Sequence, residues 1–304
     1  MVSMKDELII IFAIAVAFDR LLGEPPDAVH PTVFIGKAIS FLDRRIPNGA
    51  LIFLAVTFSF PLLAFSLLHF LEGAVKLFAG ALILKTCFSW RGLRDYTIPI
   101  AKAVEKKDLE GARKALPFIA GRDPAKLEVQ GILSTAVESI AESSVDSVIS
   151  PFLYFFAFSF ISLEAGIAAA VFYRSANTLD SMLGLPENPK GRLSAKVDEL
   201  LNLLPARIGA FLMLLSSTLL KKDVKKGFAI FKRDRNTTKS RNAGQTMSVM
   251  AGALGVRLKK KDAYAIGDPD VSLEQRHIYE ALKIVDLQVI LCMALVVIPW
   301  TLSG

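Results

Sequence analysis

Residues 137–158 read VESIAESSVDSVISPFLYFFAF. Three carboxylates, Glu138, Glu142 and Asp146, stand four residues apart, and the last adjoins an apolar run. On an α-helix, positions i, i+4 and i+8 drift about 40° per step, so the three share a sector roughly 80° wide. In a soluble domain such a pattern reads as a solvated helix face. Here the nearest basic residues are Lys126 and Arg174, so i,i+4 ion pairing does not account for the acids. A carboxylate beside lipid is costly to desolvate. Adjacent carboxylates repel unless a cation lies between them, and Mg²⁺ takes one or two carboxylates together with substrate phosphates. The stretch thus reads either as a solvated helix face or as a metal or substrate site beside a membrane helix.

Outward from this stretch the chain is apolar in blocks. Hydrophobic residues make up 53% of its 304 residues, and the mean hydropathy is +0.46. A soluble domain of this length rarely averages so apolar. The predicted class is all-α: a polytopic integral membrane protein, one membrane-embedded domain over 1–304, with large polar cytoplasmic loops containing amphipathic helices. Expected spans are 8–22, 50–70, 74–90, 147–161, 163–178 and 287–302. Only the second reaches the ~20 residues that a bilayer core requires, with Pro61 as a kink. Short apolar runs also suit half-helices, re-entrant segments or helices buried by neighbours. Leu8–Phe18 has no basic flank before it and is followed by Asp19-Arg20, so it reads as a retained helix and not a signal peptide. Cys87 and Cys292 have no ligand-type neighbours and read as free packing thiols.

Two polar regions, 85–144 with ten Lys and Arg and 221–283 with fifteen, fall on the cytoplasmic side by the positive-inside rule. An even number of crossings must separate them. Of the three apolar runs between them, 208–220 is 13 residues long and opens on Arg207, so it is expected not to span. The other two form a hairpin turning at Ser162-Leu163-Glu164.

Further polar constellations flank these runs. In YRSANTLDSM, Arg174, Asn177 and Asp180 share a helix face, either as a snorkelling, mutually paired helix end or as a site for phosphate or amide groups. Asp198 and Asn202 follow at i,i+4, ahead of Pro205 and Arg207. Ser240, Asn242 and Gly244 make a polar turn before the small-residue run 251–255, which allows close helix packing. The basic stretch before that turn suits anionic lipid or an anionic substrate. His30 heads a new segment after the turn Gly23–Pro26. No phosphate loop, dinucleotide-binding glycine motif, zinc-protease helix or nucleophile elbow is present. Nor do aromatics interleave with basic residues as nucleic-acid binding would ask.

Taken in order, five blocks resemble the integral-membrane adenosylcobinamide-phosphate synthase family of cobalamin biosynthesis. They are DRLLGEPPDAVHPTVFIGKAI, GRDPAKLEVQGILSTAVESIAESSVDSVISPFLY, YRSANTLDSMLG, DELLNLLPARI and SRNAGQTMSVMAGALGVRL. Glu24, Ser143, Ser147 and Arg241 depart from the family's usual Asp, Asn, Gly and Pro. The resemblance implies an ATP-dependent amide ligation. A propionate carboxylate of adenosylcobyric acid would be joined to the amine of (R)-1-aminopropan-2-ol O-phosphate or a related amino-alcohol phosphate. It also implies Mg²⁺, a multi-pass cell-membrane location with the active site facing the cytoplasm, contact with membrane lipid, and association with other cobalamin-assembly enzymes. Carried onto this chain, the implied roles are as follows. Asp123, Glu138, Glu142 and Asp146 would hold metal. Arg122, Arg174 and Arg207 would contact phosphates. Asn177, Asp180, Asp198 and Asn242 would orient substrate, with Asp180 also in the reacting set, and His30 or Asp19 would accept the amine proton. A membrane sensor or regulator related to the same family, and a corrinoid or amino-alcohol transporter, are the competing readings. A transporter would carry more full-length spans and inverted repeats than this sequence has.

Overall fold

The computed structural model describes residues 4–302 except 27, 29, 120–122, 186 and 270, with every side chain among them but those of Lys126 and Leu302. Helix α1, Met4–Leu22, ends where Gly23 turns left-handed at φ 74° and its N–H returns to the Asp19 carbonyl at 3.0 Å. His30 caps α2, Pro31–Asp43, its Nδ1 accepting from the Thr32 N–H, and Pro31 presets the first turn. Asn48 caps α3, Gly49–His69, which contains Pro61. Then come α4, Gly73–Lys85, α5, Trp90–Glu105, and α6, Leu109–Ala115. Helix α7, Val129–Ser144, widens into a π turn, Val145–Ile149, before α8, Ser150–Ser159. Ser162 caps α9, Leu163–Leu183, at the expected hairpin turn. Helices α10, Arg192–Leu201, α11, Leu203–Leu219, α12, Val224–Asp234, and α13, Ala243–Leu254, follow. A short antiparallel hairpin, β1 Leu258–Lys260 and β2 Tyr264–Ile266, precedes the long α14, Gln275–Leu302. The chain is all-α, as its sequence predicts, with this one small exception among the described residues.

Three stretches are long and apolar enough to cross a membrane: Gly49–His69, Gly73–Glu105 and Gln275–Thr301. Helices α10 and α11 pass the same test only as a bent pair. Among the described residues α1, α8 and α9 do not pass. Helix α1 carries Lys5, Asp6, Glu7, Asp19 and Arg20, α9 carries Glu164, Arg174 and Asp180, and α8 has 10 residues. Lipid-facing breadth is visible on α3, where Phe58, Leu62 and Leu63 are exposed.

The chain groups into two compact units. The first comprises Met1–Arg91, Asp146–Asn202 and Ala294–Gly304, and the second Gly92–Val145 and Leu203–Met293. In the first, α2, α3 and α9 bury a cluster that includes Ile39, Ile52, Phe53, Ala176 and Leu179. Helices α8 and α9 pair closely, since a Cβ on Gly166 would strike the Ser159 hydroxyl and the Phe155 carbonyl. The Phe12 ring of α1 meets Phe152 and Phe156 edge-on, each at 4.9 Å.

In the second unit α13 is buried over its whole length. It lies against α12 through two glycines: a Cβ on Gly252 would stand 2.6 Å from Gly227 Cα. The small-residue run thus packs as its sequence predicts. Gly252→Val is expected to force α12 and α13 apart and to cost about 1–3 kcal/mol, the usual penalty for overpacking. Thermal unfolding in detergent, compared with wild type, checks this.

Candidate active site

The first unit holds a buried ion network at the end of α1. Asp19 and Lys85 are both buried, and Lys85 Nζ lies 3.0 Å from Asp19 Oδ1. Lys85 Nζ also donates to Glu24 Oε1 at 3.1 Å and to the Phe88 carbonyl at 3.3 Å. Asp19 Oδ2 accepts the Arg91 N–H at 2.8 Å. The Arg91 guanidinium caps the end of α1, donating to the carbonyls of Arg20 and Leu21. Burying Asp19 and Lys85 is tolerable because each has the other and further hydrogen bonds besides.

His30 joins this network and is fully engaged by it. Its Nδ1 accepts from Thr32, so the proton sits on Nε2, which donates to Glu24 Oε2 at 2.8 Å. Burial pushes the Glu24 carboxyl up, but the His30 hydrogen bond and the Lys85 charge outweigh it and hold the group down at about 2. Both ring nitrogens of His30 are therefore hydrogen-bonded, while Asp19 Oδ2 accepts the Arg91 N–H and Oδ1 faces the Lys85 ammonium without a hydrogen bond. In the structure these residues fix the turn between α1 and α2. Glu24, which the sequence presented only as a departure in a turn, bridges Lys85 and His30.

A second cluster in the same unit gathers residues far apart in the chain. Asp198 accepts from Asn177 at one oxygen and from Asn202 at the other, both at 3.1 Å. Asn202 Oδ1 in turn accepts from Ser150 at 2.7 Å and from the Tyr173 hydroxyl at 2.8 Å. Burial, then the Asp198 charge, pushes the Asp180 carboxyl up to about 6. The amides that hold Asp198 are neutral, so they hydrogen-bond it without neutralising it. Arg174, one turn before Asn177 on α9, has a buried Nε without a hydrogen-bond partner among the described residues. Of the residues predicted from the sequence, Asn177, Asp180 and Asp198 come together here, while Arg174 lies one turn earlier on α9, near Cys87. Ser150, Tyr173 and Asn202 complete the cluster. Asn202 was marked by its i,i+4 spacing from Asp198, whereas Ser150 and Tyr173 carry no local pattern that would reveal them.

In the second unit, Arg207 donates to Asn242 Oδ1 at 3.3 Å and to the Leu203 carbonyl, joining two predicted residues 35 positions apart. Glu138 is buried and clamps the β-hairpin onto α7. It accepts from the Ser134 hydroxyl at 2.5 Å and from the Tyr264 hydroxyl at 2.6 Å. The Ser134 oxygen itself accepts the Lys259 N–H at 2.7 Å. Glu142 is exposed, and Asp146 lies in the π turn, whose wider pitch interrupts the 100° step that put it in line with the other two. Asp123 caps a short helical turn at 124–126, and Arg122 lies outside the described residues.

No three His, Cys, Asp or Glu side chains among the described residues are placed to hold a metal ion. Both oxygens of Glu138 face hydroxyl donors, which suit a carboxylate without metal. The ligand set Asp123, Glu138, Glu142 and Asp146 expected from the sequence is not assembled, because the acids divide between a buried clamp, an exposed face, a π turn and a loop cap.

The fold and its buried ion network define a polytopic α-helical membrane protein with ionisable clusters at the ends of its helices. The CobD/Cbib protein family matches residues 12–285, and the chain belongs to that family. It is similar to the probable cobalamin biosynthesis protein CobD of Methanocaldococcus jannaschii, at 32% identity over 97% of this chain and 99% of that protein. A protein of the same description from Methanothermobacter thermautotrophicus is 33% identical over 92% of this chain and 94% of its own length. The cobalamin biosynthesis protein CobD of Dehalococcoides mccartyi is 34% identical, covering 86% and 87%. No solved structure matches the chain.

Two outcomes test the site. Lys85→Met leaves Asp19 buried without its cation and is expected to cost about 3–5 kcal/mol, as breaking a buried pair does. The double variant Asp19→Asn/Lys85→Met should recover part of that loss in unfolding measurements. Asp180 has a carboxyl raised in the folded chain, so its ionisation opposes folding above pH 6, and the penalty fades as pH falls toward 4. Asp180→Asn should therefore raise the melting temperature at pH 7.5 and give no gain at pH 4.

Proposed function

We propose that this protein is an ATP-dependent amide ligase of cobalamin biosynthesis. It would join a propionate carboxylate of adenosylcobyric acid to the amine of (R)-1-aminopropan-2-ol O-phosphate or a related amino-alcohol phosphate. Family membership over residues 12–285 supports the pathway. The observation that carries the chemistry is the charge layout of α9. Arg174 has a buried Nε with no partner among the described residues, Asn177 one turn further along α9 holds Asp198 of α10, and Asp180 lies six residues, roughly 9 Å, beyond Arg174. A cation followed by carboxylates matches a small zwitterion with a phosphate at one end and an ammonium at the other.

The reaction needs a carboxylate made into an acyl donor. In this reading a propionate oxygen attacks the γ-phosphorus of ATP and ADP leaves, giving an acyl phosphate. The ammonium first gives up one proton, its nitrogen then attacks the acyl carbon, and inorganic phosphate departs with the C–O bonding pair and takes up the second proton the nitrogen loses. Asp180, a stronger base than an ordinary carboxylate because of its burial and the Asp198 charge, takes the proton released by the amine. Asn177 and Asn202 aim Asp198 and partly offset the burial that pushes its carboxyl up.

The test is to incubate the purified protein with adenosylcobyric acid, ATP, Mg²⁺ and aminopropanol phosphate, and to weigh the corrinoid. The expected mass gain equals the amino-alcohol phosphate less one water. Arg174→Gln should raise KM for the amino-alcohol phosphate about 10- to 100-fold, the value of a charge-assisted contact. No mass gain with any amino-alcohol phosphate would favour a non-catalytic membrane sensor.

A further inference from the structure

The second unit carries a cleft that the chemistry above leaves unused. Its volume is about 830 Å³, within the range of small-molecule sites. One wall is basic: Arg257, Lys259, Lys260 and Lys261 stand on and beside β1, all exposed. Lys259, Lys260 and Lys261 make no ion pair among the described residues, although three consecutive cations repel one another. The facing segment supplies Asp123, Glu128 and Gln130, and Leu127 and Leu273 give the cleft an apolar portion.

This basic wall is held rigidly. Glu138, itself buried, bonds Tyr264 of β2 directly and reaches the β1 backbone at Lys259 through Ser134. Arg257 Nε donates to the Gly267 carbonyl at 3.3 Å, and Gln130 donates to the Leu273 carbonyl at 2.9 Å. The clamp anchors a two-stranded hairpin that would be marginal alone. Fixing cations from below also preorganises them for an anion.

We infer that this cleft binds the polyphosphate chain of a nucleoside triphosphate, with the lysines on the phosphates. The carboxylates and Gln130 face the sugar hydroxyls and base edge, and the two leucines face the base. The volume and the mixed lining favour a nucleotide over a lone phosphate, which would occupy only the basic wall. A flat membrane surface would engage the lysines but would leave the acidic and apolar lining unfilled. The choice of a nucleotide rests on the ligase reading, whereas the polyphosphate chemistry rests on the cleft itself.

The experiment uses the full-length protein in detergent and in nanodiscs of zwitterionic lipid. Binding of ATP, adenosine and inorganic tripolyphosphate is measured by calorimetry for wild type and for Lys260→Gln/Lys261→Gln, two exposed residues outside the clamp. Wild type should bind ATP and tripolyphosphate, with affinity falling as salt rises, and adenosine at least tenfold more weakly. The double variant should lose at least tenfold in affinity for both anions and raise KM for ATP in the ligation assay, with KM for the amino-alcohol phosphate unchanged. Unaltered ATP affinity and unaltered KM for ATP in the variant would overturn the site while leaving the ligase reading intact. Retained, lysine-dependent tripolyphosphate binding in a protein that ligates nothing would uphold the site and overturn that reading. Binding to vesicles of anionic lipid with no binding of ATP or tripolyphosphate would overturn the nucleotide assignment in favour of a lipid headgroup.

Discussion

The Asp19–Lys85 pair is the constraint on which the first unit turns. A lysine and an aspartate that are both buried hold together only while each satisfies the other. Every group around them extends that satisfaction. The Arg91 N–H completes Asp19, Glu24 and the Phe88 carbonyl complete Lys85, and His30 completes Glu24. The result ties the end of α1 to the start of α2 and to the end of α4. Hydrophobic burial positions the helices of this unit, but it is this network that sets where their polar ends stop.

The π turn between α7 and α8 shows how local geometry redistributes a regular sequence pattern. Evenly spaced acids on a uniform helix would face one way. The wide turn at Val145–Ile149 offers the Ser147 carbonyl to the Ser89 N–H, 2.9 Å away, and puts the Asp146 carbonyl 3.2 Å from the Tyr173 hydroxyl. The segment therefore takes part in tertiary hydrogen bonding through its backbone. The same segment ends in Ser150, whose hydroxyl supports Asn202 and through it Asp198.

Much of the architecture was legible in the sequence because helices announce themselves by apolar blocks and by their caps. The expected spans starting at 50 and 163, and the new segment headed by His30, fall within one residue of the observed helix starts Gly49, Leu163 and Pro31. The candidate cluster on α9 was legible for the same reason: Arg174, Asn177 and Asp180 are spaced for one face. What could not be read was partnership over long separations. Nothing local marks Tyr264 as the partner of Glu138, or Lys85 as the partner of Asp19. The hairpin also escaped, since its strands have three residues each, too few for an alternating pattern to stand out. Spacing alone grouped Glu138 with Glu142 and Asp146; burial separated them.

The clamp beneath the hairpin also bears on the order in which the molecule can be built. Glu138 leaves the ribosome 126 residues ahead of Tyr264, the hydroxyl that helps satisfy it. Both units are discontinuous in sequence, and the first closes only with residues from 294 onward. During synthesis the chain must therefore carry a carboxylate destined for burial, and helices destined for pairing, well before their partners exist. Membrane insertion proceeds segment by segment, but the first unit is complete only after the last helix is made.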